Sequence, residues 1–439
     1  MRTQRYFGKL TFPSSENTVI ENVWLSFEND TLLIELPFHN LLNDQDDKRI
    51  NVVWGEFKGL GKISLFNCYM DDGQSSVGGI LRKLKCHYSV NGEFFANSSE
   101  LKSKRFRFYS DTLNEWLPRG IGIQQINDAT ITFDDIDNKI HFKIKEGTIS
   151  ISRKHIVTGS NFHREIDNQA VIDFEFQSDK CYISIWPLLF RFKKLILFLT
   201  DKNPHFQKLY IGASNEMYRE ISGPNIPLNS PFELGNLSLI YFDFEMDPSI
   251  AFESWMKNDS IEPITDFLLE KSFNFNQTIH SYFFSMCAAL EGFHGLFFKS
   301  GTKKEKEKIG RKEREIFLNH LPEELKSEFK EKTKDWTKLS LRDKINDYKE
   351  LFEEISSSLI KNDWDTFATK IITSRNYIAH QADANSSKGF KENELIETGK
   401  AIEFVLRIKL IEYLKWDIKN PERFIEQAKN DIDYMSSRN

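Results

Sequence analysis

Residues 364–380 read WDTFATKIITSRNYIAH, and their spacing sets the character of the C-terminal half. Phe367, Ile371 and Ile378 fall four and seven residues apart, with Ile372 alongside, which predicts one amphipathic helix with an apolar stripe facing a core. Its last six residues, Arg375-Asn376-Tyr377-Ile378-Ala379-His380, place a permanent cation, an amide and an imidazole together. Asn376 and His380 are four apart and share a helix face. Arg375 lies about 140° around an ideal helix from His380, a gap that a long side chain or a neighbouring subunit can bridge.

The same helical period extends outward from this segment. Ile264–Phe298 carries Phe267, Leu268, Phe283, Phe284, Ala288, Leu290 and Phe293 at three-to-four spacing. Leu341–Ile355 continues helically behind Ser340, a residue type suited to N-capping. With Trp364–His380 and Glu394–Trp416 these make at least four long helices, so residues 246–439 are expected to form an all-α antiparallel bundle. Residues 301–350 hold 15 Lys/Arg and 12 Asp/Glu. Such mixed charge predicts a solvated helical insert, placed at about 301–339, whose leading part, Lys303–Arg314, is net positive.

Before residue 246 the period changes to two. Val19–Phe27 and Thr31–Phe38 flank Glu28-Asn29-Asp30 and read as a hairpin. Thr130–Phe133 and Lys139–Lys145 flank an Asp/Asn turn, and Thr148–Ser152 follows closely. Cys181–Trp186 and Leu237–Phe244 read as late strands, and Pro224, Pro227 and Pro231 punctuate a final loop. Residues 1–245 are therefore expected to form a mostly antiparallel β-sandwich or barrel, giving an α+β chain of two domains.

Composition narrows the function classes. The 439 residues carry a net charge of −6, so any nucleic-acid site must be a local basic patch. The 38 Phe are read as core filling, and Trp24, Trp54 and Trp186 as core or sheet-face residues on predicted strands. Cys68, Cys86, Cys181 and Cys287 are scattered without a CxxC pair, so neither a zinc site nor a disulfide framework is predicted. The acidic pairs Asp46-Asp47 and Asp134-Asp135 read as turns. No P-loop, HExxH helix or G-x-S-x-G elbow occurs. The start lacks a secretory apolar core. Tyr182–Leu199 is interrupted by Arg191, Lys193 and Lys194 and is not read as a membrane span, and Phe190–Leu199 within it is assigned to the core at the sandwich rim. A cytoplasmic protein without metal or cofactor is expected.

The Arg–His spacing occurs three times, also as Arg82–His87 and Arg314–His320, so spacing alone does not decide. Only Arg375 is followed by an amide. One reading is structural: cations at a helix C-terminus offset its negative dipole end, with Asp383 accepting from either. The other is chemical. Arg holds a phosphate with a planar fork of donors, and His moves protons near neutral pH. An RNA 2′-OH can then serve as nucleophile without a metal.

The string RNYIAH resembles the Arg-polar-x(3–5)-His signature of the HEPN superfamily of helical ribonucleases. CAALEGFHG (Cys287–Gly295) is similar to the first-helix ALE element of these bundles. SLRDKINDYKELFEEI (Ser340–Ile355) resembles the helix preceding the motif in the ApeA-like branch, which is associated with abortive phage infection. That branch joins a β-rich N-terminal domain to a C-terminal HEPN bundle. The bundle resemblance covers roughly residues 260–416.

The resemblance implies a metal-independent endoribonuclease acting as a homodimer, with both motifs at one cleft. Arg375 would bind the scissile phosphate, His380 would transfer protons, and Asn376 would position the site. Glu291 matches a helix-one acid that would orient Arg375. The 2′-OH attack leaves a 2′,3′-cyclic phosphate and a 5′-OH, and single-stranded tRNA loops suit its in-line geometry. The N-terminal domain would sense a phage-derived trigger or restrain the bundle. Two alternatives stay open: a non-catalytic RNA-binding or toxin-regulating bundle, and a ligand- or protein-binding β-module carrying a helical dimerisation domain.

Overall fold

The computed structural model describes residues 5–13, 18–28, 31–36, 49–76, 79–117, 121–127, 130–135, 139–160, 163–201, 204, 206–213, 218–222, 239, 243–273, 277–297, 302–333, 339–361, 363–380 and 389–437. The chain divides into two compact units, Met1–Leu234 and Gly235–Asn439.

The first unit is built on a closed barrel. Its strands are β1 (Arg5–Phe12), β2 (Thr18–Glu28), β3 (Thr31–Leu36), β4 (Arg49–Phe57), β5 (Gly61–Ser76) and β6 (Gly79–Asn91). All pair antiparallel in the order β6-β3-β2-β1-β4-β5, and β5 pairs back with β6 to close the ring. Closure removes the exposed edges that an open sheet would carry. Alternate residues turn inward, so Leu10, Val23, Leu25, Ile34, Val53, Leu65 and Leu84 fill the interior. The predicted β2–β3 hairpin is present, with Glu28 opposite Thr31. Cys68 and Cys86, unrelated by sequence spacing, face each other across β5 and β6 with sulfurs 3.0 Å apart.

One strand joins the barrel to the rest of the same sheet. Arg82–Cys86 of β6 pair with β3, whereas Ser89 and Val90 pair with β14 (Tyr218–Ser222). From there the sheet continues through β13 (Phe206–Gly212), β7 (Lys102–Ser110), β12 (His163–Cys181), β11 (Gly147–Ser160) and β10 (Ile140–Ile144). The short helix α1 (Asp111–Trp116) follows β7, capped by Ser110. β8 (Ile121–Asn127) pairs with β9 (Thr130–Asp135) as a separate ribbon. The Thr130–Phe133 segment is thus partnered by β8, and β10 by β11.

One sequence expectation needs correction here, and another falls mostly outside the described residues. Cys181–Trp186 is not a strand: β12 ends at Cys181, a 3-10 turn covers Tyr182–Ile185, and Trp186 opens helix α2 (Trp186–Thr200). Pro187 explains the switch, because a missing N–H costs nothing in a helix's first turn. The apolar run that follows is the assigned core element, with Leu195–Thr200 buried and Phe192 set 6.0 Å from Phe174 of β12. Within Leu237–Phe244, only Leu239, Asp243 and Phe244 are described, and Phe244 makes a single bridge to Ile418. Pro224, Pro227, Pro231, Asp46, Asp47 and Asp383 lie outside the described residues, as do the side chains of Arg82, Asp134 and Asp135.

The second unit is helical: α3 (Pro248–Lys257), α4 (Glu262–Phe273), α5 (Ile279–Phe297), α6 (Thr302–His320), α7 (Glu323–Lys332), α8 (Leu341–Asn346), α9 (Lys349–Ile355), α10 (Ser357–Ile360), α11 (Trp364–His380), α12 (Glu392–Tyr413) and α13 (Pro421–Ser437). Helices α5 and α12 form its centre, and α4, α8 and α11 pack on α5. Gly399 lets the two central helices approach, since a Cβ there would sit 2.7 Å from the Tyr282 ring. The Ile264–Phe298 run is two helices, and Phe267 is exposed. Leu341–Ile355 likewise breaks at Asp347–Tyr348 into α8 and α9. Ser340 caps α8 as expected, within a reciprocal capping box with Asp343.

The insert is a solvated helical hairpin. No residue of α7 is buried. Arg314 ties α6 to α7 through the Lys330 carbonyl at 2.7 Å and the Thr333 hydroxyl at 3.0 Å. Among the described residues, no helix is long and apolar enough to cross a membrane.

Candidate active site

Helix α11 is fixed by Trp364, Phe367, Ala368, Ile371 and Ser374, all buried at helical spacing. Ile372 and Ile378, expected in that stripe, are only half-buried. The stripe therefore turns slightly further round the helix than the β-branched residues suggested. Ser374 also clamps the chain that follows, because its hydroxyl accepts from the Phe390 N–H at 2.8 Å. The α12 end of the connection is thus held against α11.

Arg375 follows this stripe and leans onto α5. Its Nη2 lies 3.0 Å and its Nε 3.2 Å from Oε1 of Glu291. Its Nη1 donates to Oδ1 of Asn376 at 3.2 Å, and its Cζ lies 5.8 Å from the Phe284 ring centre. The guanidinium is therefore braced by a carboxylate, an amide and an aromatic ring while remaining 27% exposed. Both contacts to Glu291 use a single oxygen, so this is not a closed two-oxygen fork. The arginine is oriented, and it keeps accessible surface for an anion.

The second Glu291 oxygen faces Lys344 of α8, whose Nζ lies 3.7 Å from Oε2. Helix α8 is held on two sides. Arg342 donates to the Thr369 hydroxyl at 2.7 Å and to the Asp365 carbonyl at 3.2 Å, joining α8 to α11. Buried His294 meets Asp347 at 2.7 Å, joining the end of α8 to α5. Glu291 and His294 are three apart, as are Lys344 and Asp347, so the two contacts form successive rungs between the helices.

His380, the expected proton carrier, is the last residue of α11, and its ring lies outside the described side chains. Asn376, one turn earlier on that face, is exposed. Cys287 sits one turn before Glu291 on α5 and is fully buried. Burial pushes its thiol far above the ordinary range, the Glu291 charge adds to this, and Arg375 opposes it. It stays protonated and is no nucleophile.

The two competing Arg–His spacings have no such setting. His320 Nδ1 meets the Ile316 carbonyl of its own helix at 2.7 Å, and Arg314 is committed to α7. His87 packs edge-on to Tyr69 on the barrel, 6.1 Å away. Among the described residues, no group of three or more His, Cys, Asp or Glu is placed to hold a metal ion.

Sequence reasoning brought Glu291 and Arg375 forward, and the structure puts them in contact. It missed Lys344 and the His294–Asp347 rung. Both lie inside the quoted segments Cys287–Gly295 and Ser340–Ile355, but Lys344 was hidden among the charges of residues 301–350. The signal available was Ser340: an N-cap there fixes Lys344 within the first turns of a short helix.

Two family models cover nearly all of the chain. The model described as ApeA N-terminal domain 1 matches residues 5–282, and the one described as Apea-like HEPN matches residues 284–419. The chain belongs to the ApeA-like HEPN family. The HEPN match contains α11 with its Arg375–His380 motif, together with Glu291 and Lys344. Family membership marks the chain as a HEPN nuclease of the abortive-infection type. No curated protein and no solved structure matches it.

Proposed function

We propose that this ApeA-like HEPN protein is a metal-independent endoribonuclease of anti-phage defence, active in the cytoplasm as a homodimer through its helical unit. The observation that carries this reading is the braced, part-exposed Arg375 on the helix that ends in His380. A guanidinium already oriented by Glu291 needs little reorganisation when negative charge grows on a phosphoryl oxygen.

In this reading Arg375 binds the scissile phosphate. The RNA 2′-OH attacks the adjacent phosphorus, the bond to the 5′ oxygen of the next nucleotide breaks, and a 2′,3′-cyclic phosphate and a 5′-OH result. His380 takes the 2′-OH proton or delivers one to the leaving oxygen. One imidazole cannot do both at once, so a second His380 from the partner subunit completes the proton transfers. Asn376 holds Arg375 and offers its amide N–H group to the substrate. DNA resists cleavage because it lacks the 2′-OH. Loops of tRNA fit as substrates, since their bases splay and free the backbone to reach in-line geometry. The barrel unit is the natural seat for a phage-derived trigger.

The test is protection of cells. Arg375→Ala and His380→Ala are expected to abolish phage protection while leaving the protein folded and expressed. Protection that survives His380→Ala would sink the ribonuclease reading and favour a binding protein with a helical dimerisation domain.

A further inference from the structure

Glu291 is shared. Arg375 takes one of its oxygens at 3.0 Å and Lys344 stands 3.7 Å from the other. Two cationic side chains thus flank one carboxylate, and these three groups together carry one positive charge in excess. The side chains of Lys344 and Glu291 are 24% and 23% exposed, so this charge is within reach of a ligand. The acids flanking Lys344 in sequence are already engaged: Asp343 in the Ser340 capping box and Asp347 with His294. At 3.7 Å the Lys344 ammonium is beyond ordinary hydrogen-bond length from Glu291. It is held near Arg375 and its N–H donors are not used up there.

We infer that Lys344 is a second phosphate-binding residue of the candidate active site, contacting an RNA phosphodiester on the same strand as the one held by Arg375. This rests on the ribonuclease reading and extends it to an assigned contact. An ammonium is a compact point charge with rotatable donors, suited to a phosphate whose orientation varies along a flexible single strand. Arg375 supplies orientation at the reacting group and Lys344 supplies grip beside it. The His294–Asp347 rung positions Lys344 by fixing the end of its short helix.

Counterion release separates a phosphate contact from a structural role. Each phosphate neutralised on a single strand contributes roughly −0.7 to the slope of log affinity against log salt. The experiment uses full-length protein carrying His380→Ala, so that bound RNA survives, with bulk tRNA and a labelled single-stranded RNA as probes. Adding Lys344→Gln should weaken binding about tenfold and make the salt slope shallower by roughly 0.7. Lys344→Arg should retain the slope. In the active background Lys344→Gln should raise KM more than it lowers kcat, with the melting temperature unchanged.

An unchanged slope, with or without weaker binding, would overturn the assignment of Lys344 while leaving the ribonuclease reading standing if wild type still cuts RNA. Failure of the wild-type protein to bind and cut either RNA would overturn both.

Discussion

Glu291 on α5 holds Arg375 on α11 by its Oε1 oxygen, 3.0 Å from Nη2 and 3.2 Å from Nε. The carboxylate fixes the guanidinium's direction and lowers the local positive charge at the same time. Replacing Glu291 by Gln separates those effects. The charge-assisted contact is worth about 1.5–3 kcal/mol, and losing its orienting part should lower kcat about tenfold. KM should not rise, because the positive charge facing RNA increases. Steady-state kinetics on Glu291→Gln reads this split directly, and a rise in KM with kcat intact would contradict it.

The centre of the bundle predicts an acid-sensitive stability. Glu403 is buried and accepts from the Tyr282 hydroxyl at 2.7 Å, with Lys400 at 2.8 Å and Arg407 at 3.4 Å. Burial alone would raise its pKa, but Lys400 and Arg407 with the Tyr282 hydrogen bond outweigh it and bring the value down to about 2. A depressed carboxylate stabilises the fold fully above its unfolded pKa. That contribution, about 3 kcal/mol, is lost as pH falls from roughly 4.5 towards about 2. Glu403→Gln should cost about 3–5 kcal/mol at neutral pH, because it removes the carboxylate that faces Lys400 and buried Arg407. Urea melts of both proteins between neutral pH and pH 3 check this, and the wild-type advantage should shrink on acidification.

The His294–Asp347 rung should govern the order of α8. His294→Leu removes the buried partner of Asp347 and is expected to destabilise the unit by about 1–3 kcal/mol. Amide exchange should then quicken in residues 341–355 more than in α12. Uniform quickening would show that the rung acts on the whole bundle and not on α8.

The proposed homodimer makes its own prediction. If two motifs share one cleft, mixed dimers of Arg375→Ala and His380→Ala subunits keep one Arg375 and one His380 there, and should retain measurable activity well below wild type, since only one of the two proton transfers is still assisted, while each parent alone has none. Complete inactivity of well-formed mixed dimers would count against shared sites.

Much of this was legible in the residues, and the gaps have physical causes. Period-two alternation exposed the β2–β3 hairpin, and three-to-four spacing exposed α11, because each reports local burial. The closing of the barrel was not legible: it depends on β6, the hairpin partner of β5, also pairing with β3, a strand distant in sequence. The α2 segment was misread at its start because a continuous apolar run looks alike as strand or buried helix, and Pro187 was the decisive clue. Within the site, Arg375 and Glu291 stood out by motif. Lys344 is one lysine among many until the fold of α8 brings it to Glu291.

The central claim is metal-free RNA cleavage by the Arg375–His380 helix. Purified protein should be incubated with total tRNA in EDTA beside His380→Ala, with the new ends mapped. Cleavage in EDTA that leaves 2′,3′-cyclic phosphate and 5′-OH ends, and vanishes in the variant, is the predicted result. Identical products from the variant, or cleavage that needs a divalent metal and leaves 5′-phosphate ends, would contradict it.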